Sequence, residues 1–195
     1  MKTWHGFVNG QDISATEDDL KRTRYFYPDN NELLSRISLL FRFHIYALLI
    51  GASVDPASVF LSVSELESGE HGSGTKRGKA FKRPPLLGLW HKHYVPPTSI
   101  AHNHHEGLKK VPVAQLIGQG LGTIAAGLNA RYLKRAAAQK LTGEWITYAK
   151  HDGKNYYLSL NSHLEDEQEI LDTVLQHCVA DFPDLPAWIK ASKPP

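Results

Sequence analysis

Apolar positions recur at two different periods along this chain. From Leu33 to Ile50 they follow one another at helical spacing, directly after Asp29 and Glu32, which have the spacing of a capping box. Gly51 is a natural stop. Near the C-terminus the period becomes two. Glu144 to Lys150 and Asn155 to Leu160 read as strands around Asp152-Gly153, the signature of a type I′ hairpin turn. Ser162 and Glu165 form a second capping-box pair. Ile170, Leu171, Val174, Leu175, Cys178, Val179 and Phe182 then return to helical spacing until Pro183.

Between these segments the pattern is weaker. Residues 1–27 mix Trp4, Phe7, Tyr25, Phe26 and Tyr27 with polar neighbours and are expected to lie across the surface. Asp55-Pro56 offers a helix start, and Val59 to Val63 fits a helix or a strand equally. Residues 67–85 carry glycines, prolines and a run of cations from Lys76 to Arg83, and read as an exposed loop. The chain turns apolar at Leu86 to Trp90, meets His91-Lys92-His93-Tyr94, and is broken at Pro96-Pro97. A short helix is expected through His102, His104 and His105, and a longer helical region over 113–139. The predicted fold is α+β. N-terminal and central helices pack on a small antiparallel sheet that includes the C-terminal hairpin, and a C-terminal helix closes it. One domain spans 1–195, with a helical half at 1–85, a core at 86–185 and a tail at 186–195.

Bulk composition changes this picture little. Of 195 residues, 42% are hydrophobic and 22% charged, which suits one globular domain and argues against wholesale disorder. The net charge of +2 is too mild to imply nucleic acid alone, but 11 histidines allow local positive charge to rise near a phosphate. The single cysteine, Cys178, excludes an internal disulfide and a cysteine-based zinc site. Met1 to Gly10 lacks a signal-peptide pattern. Arg36, Arg42 and His44 interrupt the most apolar run, which is therefore expected to be a buried helix rather than a membrane span. A cytoplasmic protein without a membrane partner is the expectation.

Four places offer chemistry. On a strand, His91 and His93 share one face and Lys92 points to the other, which suits an acid–base pair or two metal ligands as well as ordinary edge histidines. His102 and His105 share a helix face at a spacing that can bind a metal or simply meet solvent. The loop from Lys76 to Arg83, with Phe81 and Trp90 nearby, can wrap a phosphate backbone and stack bases, or merely solubilise. The hairpin places Thr147 and Ser159 on a face with aromatics, between His151 and His163. Its tyrosines and threonines also suit strand propensity alone. Gly118-x-Gly120-x-Gly122 has no preceding strand or following acid and argues against a dinucleotide site. No cofactor is implied.

The segments Gly88-Leu89-Trp90-His91-Lys92-His93-Tyr94 and Gly143 to Leu158 resemble the phage- and toxin-associated nucleases of the barnase–EndoU–colicin–RelE-like class. The resemblance covers the second half of the chain. It implies a helix-plus-antiparallel-sheet fold, metal-free cleavage of RNA, and a toxin-type effector that an inhibitor or immunity protein can hold. It further implies acid–base and phosphate-binding work for His91, Lys92 and His93, with Lys150, His151, Tyr157 and Ser159 from the hairpin. The resulting expectation is a ribonuclease with His91 or His93 opposed to His151 or His163. Lys92 and Lys154 would steady the phosphate, helped by Lys150, Arg83, Tyr157 and Ser159. Two alternatives stay open: a metal-dependent hydrolase with His91, His93, His102 and His105 as ligands, and a non-enzymatic module that binds nucleic acid or protein.

Overall fold

A computed structural model describes residues 3–8, 11–22, 31–50, 56–70, 72, 74–96, 130, 133–134, 136–138 and 143–192. The fold is α+β. A hairpin of β1 (Thr3–Val8) and β2 (Gln11–Thr16) leads into α1 (Glu17–Arg22), α2 (Asn31–Leu34), α3 (Leu39–Ile50) and α4 (Ala57–Ser68). Then come β3 (Lys79–Ala80), β4 (Trp90–Tyr94), β5 (Glu144–His151) and β6 (Lys154–Asn161). The last two elements are α5 (Glu167–Cys178) and α6 (Leu185–Ala191). Strands β3 to β6 form an antiparallel sheet in sequence order, separate from the two-stranded N-terminal sheet.

The central sheet is covered on both faces, which is why β5 and β6 contain near-continuous buried runs. Phe41 and Ile45 of α3 and Val59 and Val63 of α4 pack with Tyr94, Ile146, Tyr148, Tyr157 and Leu160 on one face. Ala149 and Leu158 pack on the other face with Ile170, Val174 and Cys178 of α5 and Leu185 and Ile189 of α6. Each fully buried aliphatic or aromatic side chain contributes about 1.5–3 kcal/mol of transfer free energy, so both layers are needed to hold so short a sheet.

Several features depart from the pattern expected from sequence. The N-terminal half is not purely helical: Trp4, Ile13 and Ala15 are buried between exposed neighbours, at the period of a strand. Asn9-Gly10, between the paired Val8 and Gln11, is the sequence signal for that hairpin. The 33–50 helix is broken in two. Ser38 Oγ accepts the Phe41 N–H at 3.0 Å, starting α3, and donates to Leu158 O at 2.7 Å. The backbone at Arg36 and Ser38 meanwhile exchanges hydrogen bonds with Tyr157. Third, residues 185–191 are no tail, because Leu185 and Ile189 are buried. Finally, α5 starts later than the Ser162–Glu165 pair suggests, capped instead by Asp166, which accepts from the Gln168 and Glu169 N–H groups.

The 67–85 segment is not wholly an exposed loop either, since it contains β3 and buries Thr75 and Phe81. Val59 to Val63 resolves as helix within α4. Asp152 and Gly153 have φ of 47° and 73°, as a type I′ turn requires. The expected 102–105 helix, His102, His104, His105 and the Gly118 to Gly122 run lie outside the described residues; the described helical residues of 113–139 are Ala130, Leu133, Lys134, Ala136 and Ala137. Among the described residues, no helix is long and apolar enough to cross a membrane.

Candidate active site

The antiparallel register brings sequence-distant histidines together. His91 pairs with Thr147 and His93 with Trp145, and Thr147 and Trp145 pair onward with Ser159 and Asn161. Residues opposite one another share a face, so these six line one surface at the end of the sheet away from the hairpin turn. His163 follows just after β6. Its ring stacks on His93 at 5.1 Å and meets Trp145 edge-on at 4.3 Å. Its Nε2 lies 3.4 Å from His93 Nδ1. The His91 ring lies 5.6 Å from that of His93, and Phe81 covers both His91 (4.6 Å) and Trp145 (5.3 Å).

His93 is also tied to the backbone, with Nδ1 3.1 Å from Gly143 O. That approach depends on glycine, because a Cβ at 143 would collide with the Tyr94 carbonyl oxygen. His91 Nδ1 is buried without a hydrogen-bond partner among the described residues. Burial pushes His91 down to about 4, helped by the positive charge of His163, Lys76 and Lys79. Burial lowers His93 to about 4 as well, with Lys76, His163 and His91 adding to it and the Gly143 carbonyl opposing. Both imidazoles are therefore neutral proton acceptors at pH 7. An anion entering beside them would raise their proton affinity, since the cations that depress it would be compensated.

Lys76 and Lys79 both bring positive charge to this surface, and Lys79 is the one placed on the sheet. It is exposed and stands directly across from His91 on β3. Lys92, expected to steady phosphate, points the other way. It is 2% exposed under α4, where Nζ contacts Glu65 Oε2 at 2.8 Å, Thr75 Oγ1 at 2.7 Å and Lys76 O at 3.0 Å. Its charge is consumed by the fold.

The hairpin candidates do not join the histidines. Thr147 pairs with Ser159 but Tyr148 pairs with Tyr157, so Leu158 is an unopposed bulge residue. The extra residue moves Tyr157 to the face opposite Ser159. There its hydroxyl donates to Glu67 Oε1 at 2.7 Å, in a cluster with Arg36 and Asn155. Ser159 stays on the histidine face but is buried, donating to Asn161 Oδ1 at 2.6 Å. His151 lies six residues along β5 from Trp145, about 20 Å at the rise of a strand, stacked 4.5 Å from Trp188. Lys150 sits 4.1 Å over the Trp90 ring, and Lys154 pairs with Glu32 at 2.7 Å. Arg83 is exposed. Of the two histidines that flank the hairpin, His163 thus joins the His91–His93 pair and His151 does not.

Metal ligation by His91 and His93 together with His102 and His105 involves residues outside the described set. Among the described residues, no group of three or more His, Cys, Asp or Glu side chains is arranged to hold a metal ion. No protein-family model, curated protein or solved structure matches the chain.

Proposed function

We propose that this protein is a ribonuclease that cleaves RNA by histidine acid–base chemistry without a metal. The observation that supports it is the packing of His91, His93 and His163 into one cluster beside Lys79. His91, half-buried and neutral, takes the proton from a ribose 2′-hydroxyl through Nε2. The freed oxygen attacks the adjacent phosphorus. The bond to the 5′-oxygen breaks, and that oxygen takes a proton from His163, the exposed member of the cluster. His93, whose Nδ1–H is held by the Gly143 carbonyl, packs against both rings and orients them, while water takes the proton from His91 and restores the one on His163. Lys79 steadies the charge that builds on the phosphate. The products are a 2′,3′-cyclic phosphate and a free 5′-hydroxyl.

Incubation with total RNA and with plasmid DNA, each with and without chelator, tests this reading. Chelator-resistant loss of RNA alone is expected, absent in His91→Ala and His163→Ala. Intact RNA, or full activity in both variants, removes these residues from any such role. Chelator-sensitive cutting points instead to metal ligation by the histidines.

A further inference from the structure

We propose that Asn161 is the positioning residue of the histidine cluster, holding His163 against His93 through a clamp on Glu165. The mechanistic part of this inference rests on the ribonuclease reading; the positional part does not.

Asn161 ends β6 and is buried, though its side chain is wholly polar. Its Oδ1 accepts two hydroxyl hydrogens, from Thr147 Oγ1 at 2.9 Å and Ser159 Oγ at 2.6 Å, which fills both lone pairs. Its Nδ2 donates to Glu165 Oε2 at 2.9 Å. Only one orientation of the amide satisfies this set, because Glu165 can only accept. The second Glu165 oxygen takes the Ser162 N–H at 2.7 Å, and the Glu165 N–H closes the turn on Ser162 O at 3.3 Å. His163 sits inside that turn, and its own N–H donates to Glu144 Oε2 at 2.9 Å. A buried amide thus fixes, through one carboxylate, the backbone that carries an exposed imidazole. Thr147 and Ser159 take part only by orienting Asn161. Their burial makes them unsuited to touching substrate.

Asn161→Asp tests the clamp with almost no change of shape, setting a carboxylate against the Glu165 carboxylate in place of a donor. Glu165→Ala removes the other end at an exposed position, and answers the question if the buried charge of Asn161→Asp prevents folding. Both variants of the full chain are compared with the parent by proton NMR of the histidine rings and by steady-state cleavage of RNA. In the parent, His163 ring protons are displaced by the Trp145 ring current and show cross-relaxation with His93. The folded variants lose both signals. Their kcat falls about 10- to 100-fold, the lower part of what a positioned acid contributes, while KM is unchanged. Unaltered His163 signals in a folded variant overturn the proposal. Loss of the signals in variants of a parent that cuts no RNA upholds the clamp and overturns the ribonuclease reading.

Discussion

Adjacent residues of β4 meet opposite fates. Lys92 is buried with its charge fully matched by Glu65, Thr75 and the Lys76 carbonyl. His91, on the reverse face, has a buried Nδ1 without a partner among the described residues. The contrast separates structural from chemical polarity. A buried cation with every donor engaged pins a loop to a helix and can do nothing else without unfolding its surroundings. A neutral imidazole held by ring packing is not tied into such a network. Residue type alone assigned chemistry to both.

Mutation breaks this comparison most sharply at His91. His91→Ala is expected to lower kcat on RNA by about 10²- to 10⁴-fold, with a smaller loss of stability than any change at Lys92. Lys92→Ala should do the reverse. Stranding Glu65 costs about 3–5 kcal/mol, visible as a drop in denaturation midpoint, and any activity lost follows the unfolded fraction.

Acid sharpens the comparison further. His91, His93 and His44 are held at about 4 in the fold, against about 6.5 in an unfolded chain. Between these values the unfolded chain binds more protons, so stability is full above pH 6.5 and falls as pH drops towards 4. His44 adds a geometric reason, since its Nδ1 accepts the Leu160 N–H at 2.9 Å and can do so only when unprotonated. Denaturant melts at pH 7 and pH 4.5 should show this loss, and His91→Ala should reduce it. Smaller again is Lys150→Ala, which removes a cation–π contact worth about 0.5–1 kcal/mol at an exposed site. Smallest is Lys154→Ala, whose solvent-exposed pair with Glu32 should leave the thermal midpoint unmoved.

What the sequence disclosed was local. Asp152-Gly153 announces the hairpin because only such residues accept both positive φ values. Alternation alone puts His91 and His93 on one face and Lys92 on the other. The partners were not local. Nothing near Lys92 reveals Glu65, which comes from a helix that periodicity left ambiguous. Leu158 looks like any other strand residue, yet as the bulge it carries Tyr157 away from Ser159. Glu165 resembles an ordinary acid at a helix start, and its bond to Asn161 emerges only once β6 ends beside Trp145. The β1–β2 hairpin escaped because Trp4, Ile13 and Ala15 give too short an alternation without weight on Asn9-Gly10. The 185–191 helix was hidden behind Pro183 and Pro186.

The interruption between α2 and α3 has a consequence for assembly. Because Arg36, Ser38 and the His44 ring occupy backbone groups along the outer side of β6, that side offers no free row of donors and acceptors to a strand from another molecule. Copies of this chain are thereby hindered from pairing edge to edge through β6. A strand that lengthened the sheet would meet, at the opposite margin, the two-residue β3 beside His91 and the part of β4 that β3 leaves uncovered. A strand added there would lie directly beside Lys79.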